Sequence, residues 1–204
     1  LAVAAAGVDQ IAVAISREES FQERNWHHTI KETQAEIAQI FALRQARFSS
    51  IRIKAYLMMA WMQERPLAQD RFLLDFLQAG ADEVCLADTA AAANAENFQA
   101  NLAAAAAVIP LHQLSLHLHG KTEDVLRLGK IAAEFGIRKF DTALGGLGGC
   151  PFIDLPAANA DTRLFNQMLL NFGPHQGGVI KEEELGVAER FLQEMISKTE
   201  RIDT

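Results

Sequence analysis

The chain contains 204 residues, half of them hydrophobic, and carries a net charge of -7. This size is enough for one domain with a substantial core, and an acidic chain without a block of Lys or Arg argues against nucleic acid or an anionic membrane as partner. No hydrophobic run approaches the roughly 18 residues of a membrane-spanning helix. The two cysteines, Cys85 and Cys150, are far apart and form no CxxC pair, which favours a reducing compartment.

Strand-like and helix-like segments alternate along the whole sequence. The predicted strands cover residues 10–15, 51–61, 83–87, 114–118 and 138–143. The predicted helices cover residues 30–47, 67–79, 95–108, 124–135, 161–171 and 181–198, and residues 16–28 are expected to form a loop or a short helical turn. Thr29 and Glu32 are predicted to form a capping box at the start of the first of these helices, and Asn159 is expected in a loop. The strands are interpreted as continuous apolar runs, which is typical of a parallel sheet covered by helices.

Polar or unusual residues follow the predicted strands at their C-terminal ends: Ser16, Asp88-Thr89, His117 with His119, and the segment 145–150. Such a distribution is typical of a (β/α)8 TIM barrel, of which this chain would contain the last five βα units. The sequence begins with Leu-Ala-Val-Ala-Ala-Ala-Gly-Val, like the second half of a helix, so we expect residues 1–204 to be a single, N-terminally incomplete catalytic barrel domain. A doubly wound open sheet is the alternative, but no GxGxxG follows an early strand.

His117 and His119 are the first candidates for a functional site. Two residues that are two apart on a strand point to the same face, so both imidazoles can bind one metal ion. The alternative is a pair of ordinary interior histidines. Because soft ligands are not gathered at one point, Mg²⁺ or Mn²⁺ is as compatible with the sequence as zinc.

Cys150 follows four glycines within five positions, Gly145, Gly146, Gly148 and Gly149. Glycines in this density indicate a sharp turn or a close approach of a ligand to the backbone. Their setting favours an exposed thiol that can exchange a proton, whereas Cys85 lies inside a predicted strand and is assigned to the core. Asp88 and Thr89 are either a helix-capping pair or part of the site.

The run DTALGGLGGCPF, preceded by LHLHG and followed by Asn159 nine residues after Cys150, resembles the 3-hydroxy-3-methylglutaryl-CoA lyases. These enzymes belong to a wider group of metal-dependent lyases and Claisen-type synthases on the (β/α)8 barrel. The resemblance implies a retro-Claisen cleavage of 3-hydroxy-3-methylglutaryl-CoA, or a close 3-hydroxy-3-alkylglutaryl-CoA, to acetyl-CoA and a 3-oxo acid such as acetoacetate. It also implies Mg²⁺ or Mn²⁺ as cofactor, a homodimer, and a location in the cytoplasm, or in the mitochondrial matrix of a eukaryote.

Residue roles carry over from the resemblance by position. Metal ligands would be His117, His119 and Asn159; catalytic residues would be Cys150 and His117; substrate-binding residues would be Asp88, Thr89, Gly148 and Gly149.

The chain also departs from the family. The Arg-Asp pair of the family's first strand, a metal ligand and an enolate-stabilising guanidinium, is absent here. Gly120-Lys121 stand where the common members have Asp-Thr, and the loop after Thr89 is rich in alanine instead of glycine. Two rival hypotheses therefore stay open: a Claisen-type synthase or 4-hydroxy-2-oxo acid aldolase on the same barrel, and a non-catalytic barrel remnant with a binding role.

Overall fold

The computed structural model describes residues 6–62, 67, 70–149, 158–172 and 180–200, without the side chains of 198–200. The strands of the described part are β1 (Gln10–Ser16), β2 (Arg52–Met58), β3 (Glu83–Asp88), β4 (Leu114–Gly120), β5 (Phe140–Asp141) and β6 (Ala158–Asn159). The α-helices are α1 (Glu19–Trp26), α2 (Ile30–Arg47), α3 (Phe72–Ala79), α4 (Ala95–Ala106), α5 (Thr122–Phe135), α6 (Thr162–Leu169) and α7 (Glu182–Glu200). The predicted alternation of strand and helix is confirmed.

The strands β1 to β5 are parallel and lie in sequence order, and β6 pairs antiparallel with β4. Helices connect successive parallel strands, as the chain of βα units in a TIM barrel requires. None of the helices in the described residues is long and apolar enough to cross a bilayer.

Several predicted boundaries differ from the structure. Residues 19–26, expected as loop or turn, form the helix α1, and the strand expected over 138–143 is only Phe140–Asp141. The helix expected to begin at residue 67 begins at Phe72. At the start of α2 the predicted capping box is present, since the Thr29 side chain accepts a hydrogen bond from the Glu32 N–H and the Glu32 carboxylate accepts one from the Thr29 N–H.

The sheet has two chemically different faces. Its outer face packs on the helices through fully buried side chains such as Ile53, Leu57, Leu86 and Leu116. The inner face carries polar residues on two central strands, namely Lys54 and Tyr56 on β2 and Ser115, His117 and His119 on β4. The interpretation of these two strands as continuous apolar runs is therefore wrong, because they alternate with period two.

The sheet is strongly curved. Lys54 on β2 and Asp141 on β5 are separated by two intervening strands, yet Lys54 Nζ lies 2.6 Å from Asp141 Oδ1. In a flat sheet their backbones would be about 14 Å apart, and side chains standing perpendicular to the sheet would not meet. The inner face is therefore concave, as in the wall of a barrel, and its polar side chains converge.

Tight helix packing at one glycine generates a prediction. A Cβ added to Gly129 in α5 would lie 2.7 Å from Cζ of the buried Phe165 in α6, whereas one added to Gly186 in α7 would meet nothing closer than 3.6 Å. We expect Gly129→Ala to lower the free energy of unfolding by about 1–3 kcal/mol through overpacking. The matched Gly186→Ala should raise it by up to about 1 kcal/mol through helix propensity. Urea denaturation followed by circular dichroism measures both; equal stability of the two variants would contradict the described packing.

Candidate metal and active site

The two histidines of β4 lie side by side on the inner face. The imidazole centroids of His117 and His119 are 4.6 Å apart, and the ring planes are nearly perpendicular at 87°. The prediction that both rings share one face is confirmed.

Asn159 reaches the histidines through the strand β6. Although the sequence placed this residue in a loop, β6 pairs antiparallel with β4 so that Asn159 stands opposite His119. The Asn159 amide nitrogen donates a hydrogen bond of 2.7 Å to the Leu147 carbonyl oxygen. Its amide oxygen is buried and has no hydrogen-bond partner among the described residues.

The glycine-rich loop surrounds Asn159. A Cβ at Gly148 would lie 2.8 Å from the Asn159 amide nitrogen, and one at Gly146 would lie 3.0 Å from the Asn159 carbonyl oxygen. Gly148 also has a φ of +88°, a conformation that favours glycine. The close approach predicted from the glycines is thus made by the chain's own Asn159. Cys150 lies outside the described residues, directly after Gly149.

A cavity of about 530 Å³ opens above the histidines, at the C-terminal ends of the strands. Its polar lining includes His117, His119, Asn159, Thr89 and Tyr56, and Gly149 borders it. Ala12, Ala14 and Ala87 contribute small apolar surfaces. The position agrees with the location of active sites in TIM barrels.

Both imidazoles are held in the neutral form. Burial lowers the pKa of His117 to about 4, with further lowering by His119 and Lys54 and an opposing effect of Asp141. Burial also lowers the pKa of His119, against the effects of the Asp88 carbonyl group and the Asn159 side chain. Metal ions bind neutral imidazole, so the environment favours the form that a ligand needs.

Asp88 supports the site from outside the cavity. Its carboxylate accepts hydrogen bonds from the N–H groups of Ala92 and Ala93 in the turn after β3, and its carbonyl oxygen lies 3.2 Å from His119 Nδ1. The helix-capping alternative is wrong for Asp88, because α4 begins at Ala95 and its N-cap is Asn94. Burial raises the pKa of Asp88 to about 6, against the effect of those two N–H groups. Thr89 borders the cavity, and its hydroxyl oxygen accepts a hydrogen bond from the Met59 N–H.

The residues present fit a hard divalent cation. His119 engages one ring nitrogen with the Asp88 carbonyl and keeps the other for an ion, in the manner of metal-bound histidines. The buried amide oxygen of Asn159 is an oxygen ligand that has no hydrogen-bond partner among the described residues. Within the described residues no group of three or more His, Cys, Asp or Glu side chains is placed to hold a metal, so the candidate site depends on the amide.

Three residues near the histidines, Lys54, Tyr56 and Asp141, were not identified as site residues from the sequence. Asp141 accepts hydrogen bonds of 2.6 Å from both the Lys54 ammonium group and the Tyr56 hydroxyl. A charged residue inside the apolar segment 51–61 was the available signal, since an interior Lys requires a partner. Its partner could not be found from sequence, because it lies three strands away.

The sequence is similar to curated lyases over nearly its whole length. Hydroxymethylglutaryl-CoA lyase YngG of Bacillus subtilis is 28% identical over 197 residues, covering 94% of this chain and 64% of that protein. The cytoplasmic 3-hydroxy-3-methylglutaryl-CoA lyase of Danio rerio is 27% identical over 191 residues, covering 91% of this chain and 56% of that protein. No family model matches the chain.

The fold points to the same group. The HMG-CoA lyase from Brucella melitensis superposes with a TM-score of 0.82 at 29% identity, covering 95% of this chain and 69% of that chain. The chain is a homologue of the HMG-CoA lyases. Its five parallel strands correspond to part of the TIM barrel of those lyases, and the predicted fold class is confirmed.

A further solved HMG-CoA lyase, from Acinetobacter baumannii, contains coenzyme A and 3-methylmalate; it shares the fold with a TM-score of 0.82 at 24% identity. Names of the curated relatives include cytoplasmic and mitochondrial lyases. The chain spans between 56% and 64% of the length of the first two curated relatives. The activity of the whole protein is therefore treated as a proposal below.

The buried histidine generates a prediction about pH. The unfolded chain binds a proton at His117 near pH 6.5, while the folded metal-free protein binds it only near pH 4. The contribution of neutral His117 to the free energy of unfolding is thus fully present above pH 6.5 and is lost as the pH falls towards 4. On lowering the pH from 8 to 4.5, the unfolding free energy of the parent should fall by on the order of 2 kcal/mol more than that of His117→Gln. Parallel curves from chemical denaturation over pH 4.5–8 would contradict the assignment.

Proposed function

We propose that the protein is a divalent-metal-dependent carbon–carbon lyase that cleaves 3-hydroxy-3-methylglutaryl-CoA, or a close 3-hydroxy-3-alkylglutaryl-CoA, to acetyl-CoA and a 3-oxo acid such as acetoacetate. The observation that carries the proposal is the pairing of β4 with β6. It brings two neutral imidazoles and an amide oxygen without a hydrogen-bond partner in the described part of the chain to one cavity at the C-terminal ends of the strands. Homology to HMG-CoA lyases supplies the reaction class.

The proposed metal ligands are His117, His119 and Asn159, and the proposed ion is Mg²⁺ or Mn²⁺. A bound divalent cation would supply Lewis acidity to the tertiary hydroxyl group of the substrate and to the ketone that develops from it. Neutral His117 offers a lone pair, either to the ion or to a proton of the substrate, but one nitrogen cannot do both. The amide of Asn159 is oriented by Leu147, so its oxygen needs no reorganisation to bind.

Cys150 is proposed as the acid that returns a proton to the enolate carbon of acetyl-CoA after the C–C bond breaks. The support is its place in the sequence, immediately after Gly149, which borders the cavity. Thr89 and Gly149 are proposed to contact the acyl group, and Gly148 is proposed to act by leaving room for Asn159. Asp88 is proposed to affect substrate binding only indirectly, because its carbonyl group positions His119. An acyl-CoA substrate agrees with the coenzyme A bound by the Acinetobacter baumannii relative.

The first test is acetyl-CoA release from 3-hydroxy-3-methylglutaryl-CoA by the protein in its natural full length. We expect release with Mg²⁺ or Mn²⁺ and its loss with EDTA. Metal binding without release, together with condensation of acetyl-CoA and a 2-oxo acid or cleavage of a 4-hydroxy-2-oxo acid, would favour the synthase or aldolase alternative. Absence of metal binding would favour the non-catalytic alternative. The predicted homodimer and cytoplasmic location stay predictions.

The ligand assignment gives a second prediction. His119→Ala removes a proposed metal ligand and should weaken Mn²⁺ binding by at least about tenfold, because outer-shell changes alone cost that much. His112→Ala, at an exposed position of the same chain, is the matched control and should bind Mn²⁺ like the parent. Electron paramagnetic resonance of free Mn²⁺ measures the affinity; equal affinities of the two variants would refute His119 as a ligand.

The cysteine gives a third prediction. Cys150→Ser keeps the size of the side chain but lacks a readily ionised thiol, so turnover should fall by about 10²–10⁴-fold. Mn²⁺ affinity should stay within about twofold of the parent, since the thiol is not a proposed ligand. Unchanged turnover in this variant would remove Cys150 from the mechanism while leaving the metal site intact.

A further inference from the structure

A carboxylate stands behind the first histidine of the site. Asp141 on β5 is the direct neighbour of His117 in the register of β4 and β5, and both side chains are on the concave face. Asp141 Oδ2 lies 4.0 Å from His117 Nδ1. That distance is about 1 Å longer than a hydrogen bond.

The ring nitrogen of His117 that faces Asp141 is not engaged by any other described residue. His117 Nδ1 is buried and has no hydrogen-bond partner among the described residues, although 28% of the side chain is exposed. The exposed part of the side chain therefore does not include Nδ1, and the residue borders the cavity. An ion in the cavity would bind Nε2, and this requires the remaining proton of the neutral imidazole to be on Nδ1.

The Asp141 carboxylate accepts hydrogen bonds from two residues of β2. The Lys54 ammonium group donates to Oδ1 at 2.6 Å, and the Tyr56 hydroxyl donates to Oδ2 at 2.6 Å. The thiol of the buried Cys85 is a weaker neighbour of Oδ2, at 3.8 Å. Because a carboxylate oxygen has two lone pairs and Tyr56 occupies one, an N–H of His117 would compete for the second only with the weak, long contact of the Cys85 thiol.

We propose that Asp141 is a positioning residue for His117. Its carboxylate favours the tautomer with the proton on Nδ1 and accepts a hydrogen bond from that N–H when the ring binds an ion. The Nε2 lone pair is then available to the cavity. The inference rests on the proposed metal-dependent function and deepens it. Carboxylate–histidine–metal arrangements of this kind orient metal ligands in many proteins and raise their basicity. Lys54 and Tyr56 contribute indirectly, because their hydrogen bonds hold the Asp141 carboxylate in place.

The geometry makes Asp141→Asn informative. Lys54 donates to the Oδ1 position, so the amide oxygen of Asn occupies that position and the amide NH₂ replaces Oδ2. A donor then faces His117 Nδ1, which must become the acceptor, and the proton moves to Nε2. The imidazole is left in the tautomer that cannot bind an ion through Nε2, as occurs when an amide replaces the carboxylate of a catalytic triad.

Glu83→Gln is the matched control. Glu83 is the other carboxylate on Lys54, with Oε1 at 2.9 Å from Nζ, and its second ion pair is with Lys139 and not with a histidine. Both variants remove one negative charge next to the same lysine. A general electrostatic or stability effect would therefore appear in both, and a tautomer effect only in Asp141→Asn.

The decisive measurement is long-range ¹H–¹⁵N NMR of histidine-labelled protein without metal at pH 8, with His117 assigned from the spectrum of His117→Gln. We expect the Nδ1–H tautomer to dominate in the parent and in Glu83→Gln, and the Nε2–H tautomer in Asp141→Asn. Mn²⁺ affinity should fall by about tenfold or more in Asp141→Asn alone. The same tautomer in all three proteins would overturn the proposal.

The readout stays separate from the proposed function, because the tautomer is measured without metal or substrate. If the parent binds no Mn²⁺, the lyase proposal fails while the tautomer result still decides the role of Asp141. If Asp141→Asn does not fold, Tyr56→Phe replaces it: this variant keeps the ring and the carboxylate but frees Oδ2. The Nδ1–H share should then be equal to or higher than in the parent, and a shift to Nε2–H would overturn the proposal.

Discussion

The ion pair between Lys54 and Asp141 joins the second and fifth strands across the concave face of the sheet. It is possible only because the sheet curves, and the same curvature brings β2, β4 and β5 around one volume. An ion pair in this setting is not an efficient source of stability, since the loss of hydration offsets much of the attraction. Burial alone would lower the pKa of Lys54, but the carboxylates of Asp141 and Glu83 raise it, so the ammonium group stays charged. The structural effect of the pair is the position that it gives to Asp141.

The glycine loop and the β4–β6 pairing form the second support of the site. Asn159 is held from the strand side by its register with His119 and from the loop side by the Leu147 carbonyl. Gly148 and Gly146 leave the space that this arrangement needs. The glycines therefore act on the shape of the site through Asn159, in addition to any contact with a ligand.

The sequence predicted what depends on local pattern. The order of strands and helices, the capping box at Thr29 and the common face of His117 and His119 follow from periodicity and from the residues at helix ends. The antiparallel position of Asn159 could not be predicted, because pairing of a two-residue strand depends on tertiary register. The contact of Lys54 with Asp141 was equally inaccessible, since it depends on the curvature of the sheet. Asp88 was left between two roles by the sequence; its hydrogen bonds go to Ala92 and Ala93 in the turn before α4, whereas the N-cap of that helix is Asn94.

The pairing of His119 with Asn159 also has a consequence for the order of folding. About forty residues separate the two partners, and α5 and β5 lie between them. Closing a segment of that length costs chain entropy, and the β4–β6 pairing offsets this cost with only two residue pairs, against seven for the similarly long closure of β1 with β2. The parallel core of β1 to β4 can assemble without the β4–β6 pairing. The site should therefore be completed after the core, and the affinity for an ion should develop as one of the last events of folding.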